Sequence, residues 1–310
     1  MKKKNKSITC LILFIGLLVY LFTSSSFRTS ISNAKANIDN ISNKRDEAKK
    51  VVSNSDTLKV YITDVGQADS ILIRDGNYNM LIDAGNNSDG KKLVKYYKEL
   101  GITSFKYVFA SHPHEDHIGG MDDIINNFDI ENFYMPDKLS TTKTFEDMLD
   151  ALERRNLKYI VPKVNDKLSL NNSNIDVIYV GSDESDINDS SIVLKLNYFS
   201  NSFLFTGDLG SNKEKEILNS GANIKADVLK VGHHGSSYST ASLFLDKVNP
   251  SFAAISVGKN NIYKHPASST LEKLNKRGIK VYRTDLDGTI LFESNGKDIS
   301  VSTFDTLTNG

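Results

Sequence analysis

With a single cysteine, Cys10, in 310 residues, the chain can close no disulfide within itself and can build no cysteine-based zinc site. Long apolar runs are scarce too: Ile8 to Phe22 is short for a spanning helix, which needs ~20 apolar residues. The sequence has no internal repeat and no long insertion without strand or helix patterning. Histidine is equally sparse, with six in all. A chain so poor in imidazole has little reason to place three of them within six positions, at His112, His114 and His117, unless they bind something together.

Lys2, Lys3, Lys4 and Lys6 precede the apolar run, and Ser24 to Ser26 follow it, the layout of an export segment. Residues 1–28 are expected to form a signal anchor or a signal peptide, with 29–56 as a polar linker and 57–310 as the working domain. Lysines on the near side put the carboxyl-terminal bulk outside the cytoplasm. The domain is therefore expected to be held at the cell membrane by a single pass, or to be secreted if the segment is cleaved. Five basic and no acidic residues lie in 1–28, which leaves 33 basic against 38 acidic groups, a formal charge of −5. A nonspecific nucleic-acid binder usually shows the opposite balance.

From Thr57 onward the pattern is strand-rich. Leu58–Ile62 alternates as a strand, followed by strands at 70–73, 79–82 and 106–110, with helical spacing over 90–100. Helices are expected near 121–127 and 144–155, and strands at 175–180, 191–198 and 202–206. The last third alternates, with helices near 212–219, 241–248 and 268–277 between strands at 228–231, 252–257, 281–284, 289–292 and 299–303. Periodicity by itself gives mixed α and β.

The densest cluster is His112-Pro-His114-Glu-Asp116-His117. In an extended segment, side chains at i and i+2 share a face, so His112 and His114 can grip one metal. Asp116 and His117, in the following turn, can grip a second. Imidazole nitrogen with carboxylate oxygen suits zinc, manganese or iron. Further candidate ligands each follow an expected strand: Asp83 after Leu81-Ile82, Asp208 after Phe203 to Gly207, the pair His233-His234, and His265 before Pro266. Loops on a rigid sheet can bring such side chains together.

These residues resemble the metallo-β-lactamase superfamily, and more closely its ComEC/Rec2 competence-protein branch, over roughly Leu58 to Ser302. Asp64-Val-Gly-Gln-Ala-Asp69-Ser70 is similar to the opening motif of that branch, with Ala68 where glycine is usual. Asn188-Asp189-Ser190-Ser191 with Thr206-Gly-Asp208 resembles its middle, and Asp227 to Ser236 with Tyr263-Lys-His-Pro266 its end. The resemblance implies an α/β fold, a four-layer αββα sandwich. It implies that His112 and His114 hold metal one with Asp208 bridging, and that Asp116, His117 and Asp208 hold metal two, completed by His234. Metal one usually has a third histidine that this chain lacks, and Asp189 is assigned to its place. Trading imidazole for carboxylate hardens the site and makes manganese a rival to zinc. Asp83 would orient the histidine loop by hydrogen bonding.

Two divalent ions, zinc or manganese, and a phosphodiester substrate are thus implied, with DNA first. Asp116, His233 and His265 are the candidate catalytic residues, and either of the two histidines could protonate the leaving alkoxide. His265 could instead be a ligand. A cell-envelope phosphodiesterase, such as a phosphorylcholine esterase, is the second enzyme reading, and a metal-stabilised binding module without turnover is the rival from another class. β-Lactam hydrolysis is disfavoured, because Asp116 typifies the phosphoesterase-like members. Asp64 and Gln67 are expected to shape a turn, and Tyr96-Tyr97 to pack.

Overall fold

A computed structural model describes residues 57–181 and 186–305; the expected export segment and linker lie outside the described residues. Among these, one sheet runs through β1 (Leu58–Ile62), β2 (Ile71–Asp75), β3 (Tyr78–Ile82), β4 (Ser104–Phe109), β5 (Asp129–Tyr134) and β6 (Tyr159–Ile160). The second contains β7 (Lys167–Ser169), β8 (Ser173–Val180), β9 (Ile192–Tyr198), β10 (Asn201–Phe205), β11 (Val228–Lys230), β12 (Phe252–Ile255) and β13 (Lys280–Arg283). The chain then returns to the first sheet as β14 (Thr289–Ser294) and β15 (Ile299–Phe304), with β14 pairing antiparallel to β1.

Both sheets change character midway. β1 to β3 pair as antiparallel neighbours, whereas β3 to β6 are parallel. β7 to β10 are antiparallel and β10 to β13 parallel. Parallel neighbours need crossovers, usually helical. They are α1 (Gly90–Glu99), α2 (Glu115–Ile118), α3 (Met121–Asn127) and α4 (Lys143–Arg154) on the first sheet. On the second they are α5 (Ser211–Ser220), α6 (Ser242–Val248) and α7 (Ser268–Asn275), and α8 (Thr284–Asp287) leads back to β14.

The period-2 alternation of the strands decides which layer each side chain enters. Val60, Ile62, Ile73 and Phe109 of the first sheet meet Leu194, Leu196, Phe203 and Phe205 of the second in a shared apolar layer. Their neighbours point the other way. Tyr61, Leu72 and Val108 join Leu93, Tyr97, Ile124 and Met148 of the first helical layer. Val193, Leu204 and Leu229 join Ile217, Phe244 and Leu274 of the second. The order is helices, sheet, sheet, helices. Each large apolar side chain buried this way contributes about 1.5–3 kcal/mol.

Tyr97 is fully buried in this packing, its hydroxyl 2.8 Å from Ser70 Oγ, while Lys91 and Lys92 are exposed. Strands β5 to β7 were not anticipated. In β5 the alternation Asp129-Ile-Glu-Asn puts charge beside apolar groups, and only Phe133 and Tyr134 are buried. Pairing with β4, rather than any strong strand pattern of its own, makes it a strand.

Candidate metal centre

Ligands in doubly wound sheets gather outside the carboxyl ends of parallel strands. Here both sheets deliver side chains to that edge. Asp83 follows β3, and His112 to His117 follow β4 and run into α2. Asp208 follows β10, His233 and His234 follow β11, and His265 follows β12.

The structure brings Asp116, His117, Asp208 and His234 together, with ligand atoms all within 4.8 Å of one another. His117 Nε2 lies 3.4 Å from Asp208 Oδ2 and 3.8 Å from Asp116 Oδ2. His234 Nε2 lies 3.1 Å from Asp116 Oδ2 and 3.5 Å from Asp208 Oδ2. Beside this group, His112 Nε2 is 3.0 Å from His114 Nδ1, and the His112 and His117 rings are 4.1 Å apart.

The ring orientations are fixed from behind. Asp83 accepts from Ser111 N–H at 2.7 Å, from Ser111 Oγ at 2.7 Å and from His117 Nδ1 at 2.8 Å. Because the Ser111 hydroxyl proton goes to Asp83, Oγ is left to accept from His112 Nδ1 at 3.1 Å. One buried carboxylate thus sets the tautomer of two histidines and turns both Nε2 atoms forward. Asp83 has φ of 60°, a left-handed conformation that aspartate tolerates better than most residues. His234 Nδ1 is 3.0 Å from the Ser256 carbonyl oxygen, which can only accept, so its Nε2 also faces the cluster. His233, His234 and Gly235 occupy three successive left-handed positions, the sharp turn that presents the two rings in different directions.

The donor set fits divalent cations on its own evidence. His117 Nε2 and Asp208 Oδ1 are buried without a hydrogen-bond partner among the described residues, and an unpaired buried polar atom costs about 1–3 kcal/mol. Imidazole and carboxylate in this number match zinc or manganese.

Asp189 lies outside the four-member group; its Oδ1 accepts Gly210 N–H at 3.1 Å, and both line one arm of the cleft together with Asp208. His233 Nε2 is 3.8 Å from Asp208 Oδ2, and its ring is 5.6 Å from that of His265. Asp64 Oδ1 accepts Gly66 N–H, the expected turn contact, whereas Gln67 accepts Gly258 N–H and also lines the cleft. Ser111 and Ser256 escaped the sequence reading, and Asn188 entered it only as part of a motif, with no role assigned to it. Small polar residues beside strand ends carry no pattern of their own.

The cluster opens onto two adjoining hollows, Asp116 and His234 on the first and Asp208 on both. One, of about 480 Å³, is lined by Gln67, Glu115, Tyr263 and His265 among others. A second, of about 360 Å³, is lined by Asp186, Asp189, Asn212 and Tyr238 among others. Asn188, Asp208 and His233 line both.

Charge follows from this packing. Burial opposes a charged His117, but Asp208, Asp116 and Asp83 outweigh it and hold its pKa well above the usual range. His234 is raised in the same way, with Asp208 and Asp116 overcoming burial. Asp208, despite burial, is held well below the carboxylate range by His234 and His117, and Asp116 is lowered likewise by His117 and His234. The carboxylates therefore stay ionised near neutrality, while two imidazoles hold protons that a cation must displace. Imidazoles raised above the ordinary value of about 6.5 stabilise the metal-free chain fully below that pH. That stabilisation is lost as pH rises through their raised values. Cation affinity should accordingly increase from pH 6 to pH 8, with protons released on binding. Calorimetric Mn²⁺ or Zn²⁺ titrations in buffers of different ionisation enthalpy check both; equal affinity at the two pH values contradicts the ligand assignment.

The sequence profile of the metallo-beta-lactamase superfamily matches residues 63–259. The chain is 32% identical over 253 residues to ComE operon protein 3 of Bacillus subtilis, covering 76% of this chain and 33% of that protein. It is 28% identical over 247 residues to competence protein ComA of Neisseria gonorrhoeae, covering 75% and 32%. The chain therefore spans about a third of the length of these curated relatives. Among solved structures, the metallo-beta-lactamase fold protein YhfI from Bacillus subtilis superposes with a TM-score of 0.52 at 14% identity, covering 77% of this chain and 99% of that one. That likeness concerns the fold.

Proposed function

Because this chain belongs to the metallo-beta-lactamase superfamily, we propose that its cleft is a two-cation centre that hydrolyses phosphodiesters. In this reading His112, His114, Asp189 and Asp208 hold one zinc or manganese ion. Asp116, His117, Asp208 and His234 hold the other. Such a pair supplies an activated water and neutralises charge developing at phosphorus.

The observation that carries the reading is the convergence of four ligand atoms within 4.8 Å, with Asp208 among them lining both hollows. In-line displacement at phosphorus sends nucleophile and leaving group to opposite sides. A diester has a substituent for each hollow. Water adds to phosphorus, one ester P–O bond breaks, and the departing alkoxide takes a proton. His233, 3.8 Å from Asp208 and lining both hollows, is the group placed to relay it. Burial, opposed by Asp208, lowers its pKa below the usual imidazole value, so the ring takes the proton from the attacking water and passes it to the alkoxide. Burial, with His233 and His234 nearby, pushes His265 down to about 4, so that ring is neutral at physiological pH and serves better as a hydrogen-bond partner or ligand. Asp116, 3.1 Å from His234 Nε2, keeps that ring turned toward the reacting centre.

His233→Ala is expected to keep both metals and lose turnover by about 10²–10⁴-fold. Elemental analysis beside bis-p-nitrophenyl phosphate kinetics checks this, and loss of one metal equivalent would make His233 a ligand.

Likeness to competence proteins supports DNA as the substrate, acted on outside the membrane by a domain that residues 1–28 tether or export. A second reading is favoured by the cleft itself. Among the described residues, neither hollow is lined by Lys or Arg, and Glu115, Asp186 and Asp189 line them. A nucleic-acid strand brings a phosphate with every nucleotide and is ordinarily met by Lys and Arg. A cell-envelope diester with an uncharged or cationic substituent avoids that repulsion. The deciding experiment measures metal content and bis-p-nitrophenyl phosphate turnover, then compares plasmid and single-stranded DNA with p-nitrophenyl phosphorylcholine. Two bound metals without turnover of any ester would leave only a binding module. Intact DNA with a cleaved choline ester would select the envelope reading.

A further inference from the structure

Behind the candidate metal centre, Lys230 is 1% exposed, and its Nζ lies 2.8 Å from Asp69 Oδ2, itself 1% exposed. This is a full ion pair with almost no solvent, bridging the two sheets: Asp69 immediately precedes the strand Ser70 leads into, and Lys230 ends β11. Removing one member of such a pair is costly, and retaining it does little for stability by itself, since well-packed apolar replacements are often as stable. Its placement therefore calls for another explanation.

Asp69 is bound on all sides to the loops that carry ligands. Its backbone N–H donates to the Asp116 carbonyl at 3.0 Å, and its own carbonyl accepts Gly85 N–H at 2.8 Å. Its Oδ1 has no hydrogen-bond partner and lies 3.7 Å from His234 Nδ1. An oxygen of Asp69 also lies within 4.8 Å of ligand atoms of Asp83 and His117. On the other side, Lys230 Nζ donates to Val231 O at 3.1 Å, in the strand end that turns into His233 and His234. Asp116 and His117 come from the first sheet, Asp208 and His234 from the second. Only a fixed relation between the sheets brings the four together.

We propose that the Asp69–Lys230 pair is a positioning device, which holds His234 in register with Asp116 and His117 so that the second cation binds tightly. The proposal rests on the two-cation reading above. Neither residue touches a cation in it; both act through the ligand loops they join.

The test separates stability from cation affinity. Lys230→Met strands the Asp69 carboxylate and should lower the melting temperature. The double variant Asp69→Leu/Lys230→Met should recover most of that loss. Calorimetric titration of wild type and double variant with Mn²⁺ alone is then the readout. Wild type should take up two equivalents, and the double variant should bind the second about 10–100-fold more weakly, as loss of ligand-orienting partners does elsewhere. The first equivalent, bound through His112 and His114, should keep its affinity. A double variant with wild-type melting temperature and wild-type affinity for both equivalents would overturn the proposal. If the double variant does not fold, Asp69→Asn preserves the shape; unchanged second-cation affinity there has the same force. Wild type binding no second equivalent would remove the two-cation reading, and this proposal with it.

Discussion

Asp208→Ala should abolish cation binding and hydrolysis together. Asp208 Oδ2 lies within 4 Å of the His117, His233 and His234 side chains alike, and its Oδ1 is buried with no partner among the described residues. Alanine would leave three imidazoles around a vacancy with one carboxylate, Asp116, to balance them. The loss should exceed the roughly 10²–10³-fold that removing a single preorganised electrostatic group causes, because a shared ligand takes both cations with it. Inductively coupled plasma analysis, with diesterase kinetics on the same preparation, measures both quantities. Two metals retained at wild-type affinity would show that Asp208 bridges nothing.

Asp83 should produce the next largest effect without being a ligand. Asp83→Ala leaves Ser111 N–H, Ser111 Oγ and His117 Nδ1 without their acceptor inside a closed layer. Each stranded donor costs about 1–3 kcal/mol, so a melting temperature lowered by many degrees is expected. Asp83→Asn is the sharper probe. Asparagine tolerates the left-handed φ of 60°, and its amide oxygen can keep the bond from Ser111 N–H. Its NH₂ cannot accept from His117 Nδ1, so that ring is free to turn or change tautomer. The asparagine variant, which keeps an acceptor for Ser111 N–H, should lose less stability than Asp83→Ala yet bind cations about 10–100-fold more weakly. Equal cation affinity in the two proteins would reduce Asp83 to a structural role.

The His/Asp cluster that could hold a metal was legible in the sequence because its members sit on short local patterns. His112 to His117 fall within one loop, and Asp208 and His234 each follow an apolar strand whose end the pattern marks. Asp83 announced itself in the same way. What joins the two halves of the chain was not legible. Lys230, a charge in the apolar strand Val228 to Val231, signals a buried partner, but nothing local points to Asp69 as that partner. The same holds for the hollows, where Tyr238 and Tyr263 stand at opposite arms through folding alone. Asn188-Asp189-Ser190 was open to two uses, ligand or turn. It forms a short 3₁₀ segment in which Asp189 Oδ1 accepts Gly210 N–H while the side chain still lines the cleft, so both uses stand. Strands β5 to β7 were missed because pairing, not composition, creates them.

The apolar filling between the sheets sets how far apart the two sources of ligands stand. Ala254 is fully buried in that filling on β12, where a longer side chain has to displace packed neighbours. Its carbonyl accepts Val231 N–H, two residues before His233, so a wedge there would press on the strand end that presents His233 and His234. The size of a methyl group in the interior thus bears on where the candidate ligands of the second sheet stand.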